Sequence, residues 1–241
     1  MTTTTDRPGP RTAPASRPPA FELAALDMAG TTVQEGGAVY RAVAQSVEAR
    51  LGRPVPEAVL RRWTGTSKDE AIAGLLTELT GSAPAEAVEE VYADFAARLG
   101  AAYAASPPVP VPGAAEAIAG LRAAGVKVVL QTGYSRDIAE SILDALGWTV
   151  GGTVDGLVSS DEVPVSRPAP YLVFRAMELA RVTDVARVLT AGDTPNDLAA
   201  GRNAGAGFVA GVLTGAATAV ELGRHRHTHL LDSVADLPSL L

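Results

Sequence analysis

The spacing of apolar residues divides the chain into a polar tail, a helical segment and a segment of alternating helices and strands. Residues 1–20 are rich in Thr, Pro and Arg and lack an apolar run, so we expect a disordered tail. The apolar run Leu23–Asp27 then predicts a buried parallel strand that Gly30-Thr31-Thr32 ends. A strand followed by an ordinary Asx-type turn is the simpler interpretation of this stretch.

A purely helical pattern follows this first strand. A helix with Val39, Val43 and Val47 on one face is predicted, and further helices are expected at about 56–62, 68–79 and 84–104. Gly36-Gly37 precedes these helices, and a Pro-rich linker follows them. We therefore expect residues 36–108 to form an inserted, all-helical cap domain on a two-strand hinge.

Beyond Gly113, helical and strand-like patterns alternate. Predicted helices cover 113–124, 135–146, 169–180 and 195–205, and predicted strands cover 126–131, 154–158, 187–191 and 208–212. Strands that alternate with helices favour the α/β class, with a doubly wound parallel sheet. Residues 21–35 and 109–241 are thus assigned to one core domain.

The composition narrows the range of partners. The formal net charge of −7 and the absence of a Lys/Arg-rich stretch argue against nucleic acid as a partner. No apolar run approaches the ~20 residues needed to cross a bilayer, and no secretory signal is recognisable, so no membrane partner and a cytoplasmic location are expected. Disulfides and cysteine-ligated zinc are excluded because the chain has no Cys.

All three histidines lie near the C-terminus, at His225, His227 and His229. Their spacing would place them on one face of a strand, which we interpret as a polar edge strand, with a metal site as the alternative. A site elsewhere must use carboxylates or lysine for acid and base chemistry. Lysine occurs only at Lys68 and Lys127, whereas the other basic residues are arginine.

Polar side chains follow several predicted strands. They are Asp27, Thr132-Gly133, Arg167 and the Asp193–Asp197 segment, and all can meet at the carboxyl edge of one parallel sheet. Asp27 and Asp193 offer the hard oxygen ligands that Mg²⁺ prefers, and Asp197 could order a metal-bound water. The Thr132 hydroxyl and Arg167 would hold phosphoryl oxygens. Taken singly, each element has another explanation, such as a helix cap, a turn or a surface ion pair.

Five segments together give the chain a resemblance to the haloacid dehalogenase superfamily of phosphotransferases with a C1-type helical cap. Within that superfamily the chain looks most like the phosphonatases (phosphonoacetaldehyde hydrolases) and phosphonatase-like hydrolases. The segments are Asp27–Val33, Thr132–Arg136, Asp161–Pro164 with Arg167–Pro170, Gly192–Thr194 with Asp197, and Gly201–Gly205.

This resemblance implies a Rossmannoid core, an aspartyl-phosphate formed at Asp27 and a small phosphorylated or phosphonate substrate. It also suggests a homodimer through the cap helices. The implied catalytic residues are Asp27, Lys68 and Arg167; the implied Mg²⁺ site is Asp27, Ala29, Asp193 and Asp197; the implied phosphate or substrate contacts are Ala29, Thr132, Gly133, Tyr134 and Thr194.

Ala29 and Lys68 bear on the kind of reaction. Most phosphatases of the superfamily have an acidic Asp where this chain has Ala29, and loss of a proton donor costs ~10²–10⁴ in rate. Phosphonatases also carry alanine at this position. The resemblance of this chain to them implies that a cap lysine forms a Schiff base with the substrate aldehyde. Lys68 matches that lysine, although Thr64 and Ala71 replace the Met and His of the phosphonatase loop.

Three functions stay open at this point. The first is Mg²⁺-dependent cleavage of the C–P bond of phosphonoacetaldehyde or a related small phosphonate. The second is hydrolysis of a small phosphate ester, because mutases and phosphatases with this cap type often carry a similar loop for substrate binding alone. The third is binding of a phosphorylated ligand without catalysis.

Overall fold

The computed structural model describes residues 19–241. The predicted tail at 1–20 lies, except for its last two residues, outside the described part of the chain. The elements of the first half are β1 (Leu23–Asp27), β2 (Val33–Gln34), α1 (Ala38–Leu51), α2 (Glu57–Leu60), α3 (Lys68–Thr80), α4 (Ala85–Ala105) and β3 (Val109–Pro110). Those of the second half are α5 (Ala114–Ala123), β4 (Lys127–Gln131), α6 (Arg136–Leu146), β5 (Gly156–Val158), α7 (Tyr171–Ala180), β6 (Val188–Gly192), α8 (Pro195–Ala204), β7 (Phe208–Val212), α9 (Ala219–Leu222) and β8 (His229–Leu231).

Six strands form one parallel sheet in the order β5-β4-β1-β6-β7-β8. Strand β1 lies between β4 and β6, so the end of the first strand is flanked by the ends of two others. The chain order reverses on either side of β1, which is where doubly wound sheets bind ligands. The predicted α/β fold with a doubly wound parallel sheet is confirmed.

Helices cover both faces of this sheet, which explains why its strands read as continuous apolar runs. Leu23 and Ala25 of β1 pack on one face in a cluster with Leu172 of α7. Ala24 and Leu26 face the opposite cluster, which contains the interior of the helical segment as well. Because both faces of the sheet are buried, Asp27 at the end of β1 is placed at the carboxyl edge of the sheet.

The helices α1 to α4 follow one another without a strand between them, as the helical pattern predicts. The chain leaves the sheet through β2 and returns through β3, and these two short strands pair antiparallel, with Val33 opposite Pro110. Phe95 of α4 and Val43 of α1 belong to the shared apolar interior. The division into a core domain and a cap domain that moves as a unit stays a prediction.

Most predicted boundaries agree with the structure within two residues, but the histidine strand was wrong in part. Only His229 lies in β8, whereas His225 and His227 precede it. The Nδ1 atom of His227 lies 2.7 Å from the carbonyl oxygen of His225, and His229 stacks on Phe208. The strand begins at His229 because its pairing with β7 begins there, opposite Ala210.

No helix within residues 19–241 combines the length and the apolar character that crossing a membrane requires.

Candidate active site

Three carboxylates meet at the carboxyl edge of the sheet. Asp27 is the last residue of β1, Asp193 follows β6, and Asp197 lies in the first turn of α8. One oxygen of each lies within 4.8 Å of the others, and all three residues are buried. The start of α8 is fixed by its sequence, because Pro195 occupies the first turn and Thr194 forms a capping box with Asp197.

Arg167 joins two of these carboxylates. Its Nη1 lies 2.6 Å from Asp27 Oδ1 and 2.9 Å from Asp197 Oδ1, and its Nη2 donates to the Gln131 carbonyl at 2.8 Å. The Arg167 side chain is 1% exposed. Charge-assisted pairs of this kind orient both partners when water is excluded. The Asp27 carboxylate is therefore held in one position at the end of its strand.

The cluster carries more negative than positive charge, with three buried carboxylates around one guanidinium. Burial raises the pKa of Asp193 well above its usual value, and the negative charges of Asp27 and Asp197 add to this effect. Burial also raises the pKa of Asp27, although the guanidinium of Arg167 opposes the change. A bound cation would relieve this excess of negative charge.

The surroundings of Asp193 fit a divalent ion. Its Oδ1 accepts a hydrogen bond from Thr31 Oγ1 at 3.2 Å, and its Oδ2 accepts one from the Ala216 amide at 2.6 Å. Two glycines leave space here: a Cβ atom at Gly30 would lie 2.6 Å from Asp193 Oδ2, and one at Gly215 would clash with the same atom. Crowded oxygen donors without histidine or cysteine suit Mg²⁺ rather than a softer metal.

A small enclosed cavity brings the predicted site residues together. It has a volume of about 10 Å³, which is enough for about one water molecule. All ten residues predicted for the site except Asp197 line this cavity: Asp27, Ala29, Lys68, Thr132, Gly133, Tyr134, Arg167, Asp193 and Thr194. Asp197 is adjacent through the carboxylate cluster. Ala29 offers only main-chain polar atoms, so no side-chain acid follows Asp27 here.

Lys68 is the first residue of α3 and is 5% exposed. Its Nζ donates a hydrogen bond to the Thr66 carbonyl at 3.0 Å and lies 5.1 Å from the centre of the Tyr134 ring. Burial lowers the pKa of Lys68 to about 8, and the charge of Arg167 contributes to the lowering while that of Asp27 opposes it. An amine with this pKa is partly deprotonated near neutral pH, which a nucleophilic lysine requires.

The loop that precedes Lys68 is packed directly on the sheet edge. The Asn196 side chain donates to the Thr64 carbonyl at 2.7 Å, and the Ser166 amide donates to Glu70 Oε1 at 2.8 Å. A Cβ atom at Gly133 would clash with the Thr66 carbonyl, so glycine permits this close approach. The helical segment therefore closes the site in this conformation.

Three residues of this region were not assigned to the site from the sequence: Tyr40, Glu70 and Asn196. Asn196 could have been found, because it stands between Asp193 and Asp197 in the segment that was singled out. Tyr40 carries no comparable signal, since one aromatic residue in a predicted helix is usually assigned to the core.

Comparison with known proteins places the chain in a family. The model of the haloacid dehalogenase-like hydrolase family matches residues 21–205. The protein therefore belongs to the haloacid dehalogenase-like hydrolases and is an enzyme.

Two relatives agree with the resemblance to phosphonatases. The phosphonoacetaldehyde hydrolase of Bacillus cereus strain B4264 is 32% identical over 227 residues, which are 89% of this chain and 83% of that protein. The phosphonoacetaldehyde hydrolase of Bacillus anthracis is 31% identical over 217 residues, which are 84% of this chain and 78% of that protein. The predicted resemblance is confirmed at the level of a phosphonatase-like hydrolase.

Solved structures share the fold. A phosphonoacetaldehyde hydrolase-like protein from Oleispira antarctica aligns with a TM-score of 0.72 and 24% identity, and 95% of each chain is covered. A predicted phosphoglycolate phosphatase from Haemophilus somnus aligns with a TM-score of 0.69 and 18% identity, over 92% of this chain and 98% of that one. At these identities the two structures show a common fold.

Proposed function

We propose that this enzyme hydrolyses the C–P bond of phosphonoacetaldehyde or a related small phosphonate, with Asp27 as nucleophile, Lys68 as the amine that forms a Schiff base, and Mg²⁺ as cofactor. One observation carries the proposal. A buried lysine whose pKa is lowered lines the same closed cavity as the Asp27 carboxylate, and no side-chain acid stands at position 29.

The first step is attack of the Lys68 amine on the aldehyde carbon, which takes up one proton from solvent, releases water and leaves a protonated imine. The free amine is available because burial disfavours the ammonium form. The aromatic rings of Tyr40 and Tyr134 flank Nζ at 5.6 Å and 5.1 Å. These rings keep water away from the nitrogen and interact favourably with a cation when the imine becomes protonated.

In the second step, an oxygen of Asp27 attacks phosphorus and the C–P bond breaks. The electron pair of that bond moves toward the imine nitrogen and gives an enamine, so the leaving carbon needs no proton from position 29. Arg167 holds Asp27 by an ion pair of 2.6 Å and, with Thr132, faces the position of the phosphoryl oxygens.

Hydrolysis completes the cycle. Water attacks the aspartyl-phosphate, which yields phosphate and free Asp27. The enamine takes up a proton on carbon, and a second water hydrolyses the resulting imine to acetaldehyde and free Lys68. Because the first step releases one water, the net reaction consumes one water per phosphonoacetaldehyde.

Asp27, Asp193, Asp197 and the main chain of Ala29 would hold the Mg²⁺ ion. When bound, the ion supplies positive charge against the three carboxylates and the phosphoryl oxygens. We further propose that the helical segment acts as a cap. The cavity of about 10 Å³ is too small for the substrate, so the contacts of the Lys68 loop must open for entry and close for reaction.

A phosphatase for a small phosphate ester is the second candidate. It is favoured by Ala71, because the phosphonatase loop carries His at that position and this chain has a buried apolar residue. In this case Lys68 would contact the substrate without forming a covalent bond.

Phosphate release separates the two candidates. Wild type and Lys68→Ala are assayed with Mg²⁺ on phosphonoacetaldehyde and on a panel of small phosphate esters. We expect release from the phosphonate by wild type and its loss in the variant. Release from esters alone, with none from the phosphonate, would overturn the proposal and establish the phosphatase.

A further inference from the structure

A second cavity adjoins the small cavity that Asp27 and Lys68 line, and one large side chain separates the two. This crevice has a volume of about 260 Å³ and lies between residues 34–37 and residues 214–216. Gln34, Gly36 and Gly37 on its rim are exposed, so the crevice is open to solvent. The two cavities share three lining residues, which are Ala29, Tyr40 and Asp193.

Among these three shared residues, Tyr40 has by far the bulkiest side chain. Asp193 is fixed in the carboxylate cluster, and Ala29 projects only a methyl group. The partition between a closed space of about 10 Å³ and an open one of about 260 Å³ therefore depends on the position of the Tyr40 ring.

Several contacts fix that ring. The Tyr40 hydroxyl accepts a hydrogen bond from the Gly65 amide at 2.8 Å, which joins α1 to the Lys68 loop. The first turn of α1 is anchored in turn, because Glu35 accepts hydrogen bonds from the amides of Gly37 and Val39 at 3.1 Å and 2.9 Å. The centre of the Tyr40 ring lies 5.6 Å from Lys68 Nζ, which is the atom that would bond to the substrate.

We infer that Tyr40 determines specificity by limiting the size of the organic group attached to phosphorus, which selects short phosphonates over longer ones. This inference rests on the proposed function, since it assumes that the phosphonate occupies the cavity between Asp27 and Lys68. A group longer than two carbons would meet the Tyr40 ring. With a small residue at position 40 it would instead extend into the crevice, where burial of each added methylene favours binding.

Binding of unreactive alkylphosphonates tests the inference without requiring turnover. The dissociation constants of methylphosphonate and pentylphosphonate are measured by calorimetry with Mg²⁺ for wild type, Tyr40→Phe, Tyr40→Leu and Tyr40→Ala. We expect wild type and Tyr40→Phe to prefer methylphosphonate by about 10-fold or more. Tyr40→Ala should reverse this preference, and Tyr40→Leu should fall between.

Tyr40→Phe is the matched control, because it removes the hydroxyl that binds Gly65 and keeps the ring. Tyr40→Leu retains an apolar side chain on α1, so a folding defect in the alanine variant does not end the test. An unchanged ratio of the two dissociation constants in both smaller variants would overturn the inference. Wild-type phosphate release from phosphonoacetaldehyde, measured in parallel, reports on the proposed function separately. Absence of alkylphosphonate binding to all four proteins would overturn the inference, whereas the proposed function would fall only if wild type released no phosphate from phosphonoacetaldehyde.

Discussion

The two sides of the closed site are built in different ways. On the sheet side, Asp27 ends β1, Asp193 follows β6 and Asp197 lies in the first turn of α8. Arg167, from the loop before α7, pairs with Asp27 at 2.6 Å and with Asp197 at 2.9 Å. On the helical side, Lys68 donates a hydrogen bond to a carbonyl of its own loop and lies beside two aromatic rings. Under the proposed function, the sheet side would carry out phosphoryl transfer, and the helical side would determine which leaving group is accepted.

Replacement of Asp27, the proposed nucleophile, should abolish the reaction with both classes of substrate. Asp27→Asn keeps the shape of the side chain but cannot attack phosphorus, so phosphate release from phosphonates and from esters should fall by about 10⁴-fold or more. Circular dichroism and thermal unfolding check that the variant is folded. Retention of a substantial part of wild-type turnover would mean that another group is the nucleophile.

A change on the helical side should separate the two reactions. Lys68→Arg keeps a positive charge but cannot form an imine, so we expect phosphate release from phosphonoacetaldehyde to fall by about 10³-fold. Hydrolysis of an activated phosphate ester should change far less, since Asp27 and Arg167 are untouched. If Lys68→Arg keeps most of its activity on the phosphonate, Lys68 contributes charge rather than a covalent bond.

Loss of Asp193, a proposed Mg²⁺ ligand on the sheet side, should weaken metal binding and leave Lys68 unaffected. Asp193→Asn removes one of the three carboxylates, so the Mg²⁺ concentration for half-maximal activity should rise by about 10–100-fold. Mg²⁺ should raise the melting temperature of wild type, and this rise should be smaller in Asp193→Asn. Asp155→Asn is a suitable control, because that carboxylate pairs with Arg122 and Lys127 and lies outside the site. An equal effect of both changes would argue against a metal at Asp193.

The activity on the phosphonate should depend on pH through Lys68. Its pKa is lowered to about 8, so the fraction of free amine rises about tenfold per pH unit below that value and levels off above it. The rate on phosphonoacetaldehyde should therefore increase from pH 6 to about pH 8. Wild type assayed on an ester serves as control. Any rise there reports on Asp27 and Asp193, whose pKa values burial raises, so the rise on the phosphonate should be the steeper one.

The smallest effect is expected for the contacts that hold the two sides together. Asn196→Ala removes the hydrogen bond to the Thr64 carbonyl, which is worth about 1 kcal/mol, so KM should rise about fivefold with little change in kcat. Asn203→Ala removes an exposed hydrogen bond of similar length to the Pro168 carbonyl, between two residues outside the helical segment, and should leave KM unchanged. Equal behaviour of the two variants would mean that the Thr64 contact does not limit closure.

The sheet side could be predicted from the sequence because its geometry follows from a general rule. An apolar run that ends in a carboxylate, repeated at Asp27 and Asp193, places polar groups at one edge of a parallel sheet. The predicted ends of strands were less accurate where hydrogen bonding to a neighbouring strand determines them. The strand predicted at 154–158 begins at Gly156, since the preceding Asp155 uses its carboxylate to accept the Val128 amide at 3.0 Å.

The helical side could not be predicted in the same way. Periodicity identifies the buried face of a helix but not the partner against which that face packs. The contact of Asn196 with Thr64 joins residues 132 positions apart, and the bond between Tyr40 and Gly65 joins two different elements of the inserted segment. Lys68 was found through resemblance to phosphonatases, whereas Tyr40 emerged only from its position between two cavities.

Chemical trapping tests the central claim most directly. Wild type is incubated with phosphonoacetaldehyde, reduced with borohydride and analysed by peptide mass spectrometry. The claim predicts a stable secondary amine on Lys68 that is absent from Lys68→Arg and from samples without substrate. Phosphate release from the phosphonate without any adduct on Lys68 would contradict it.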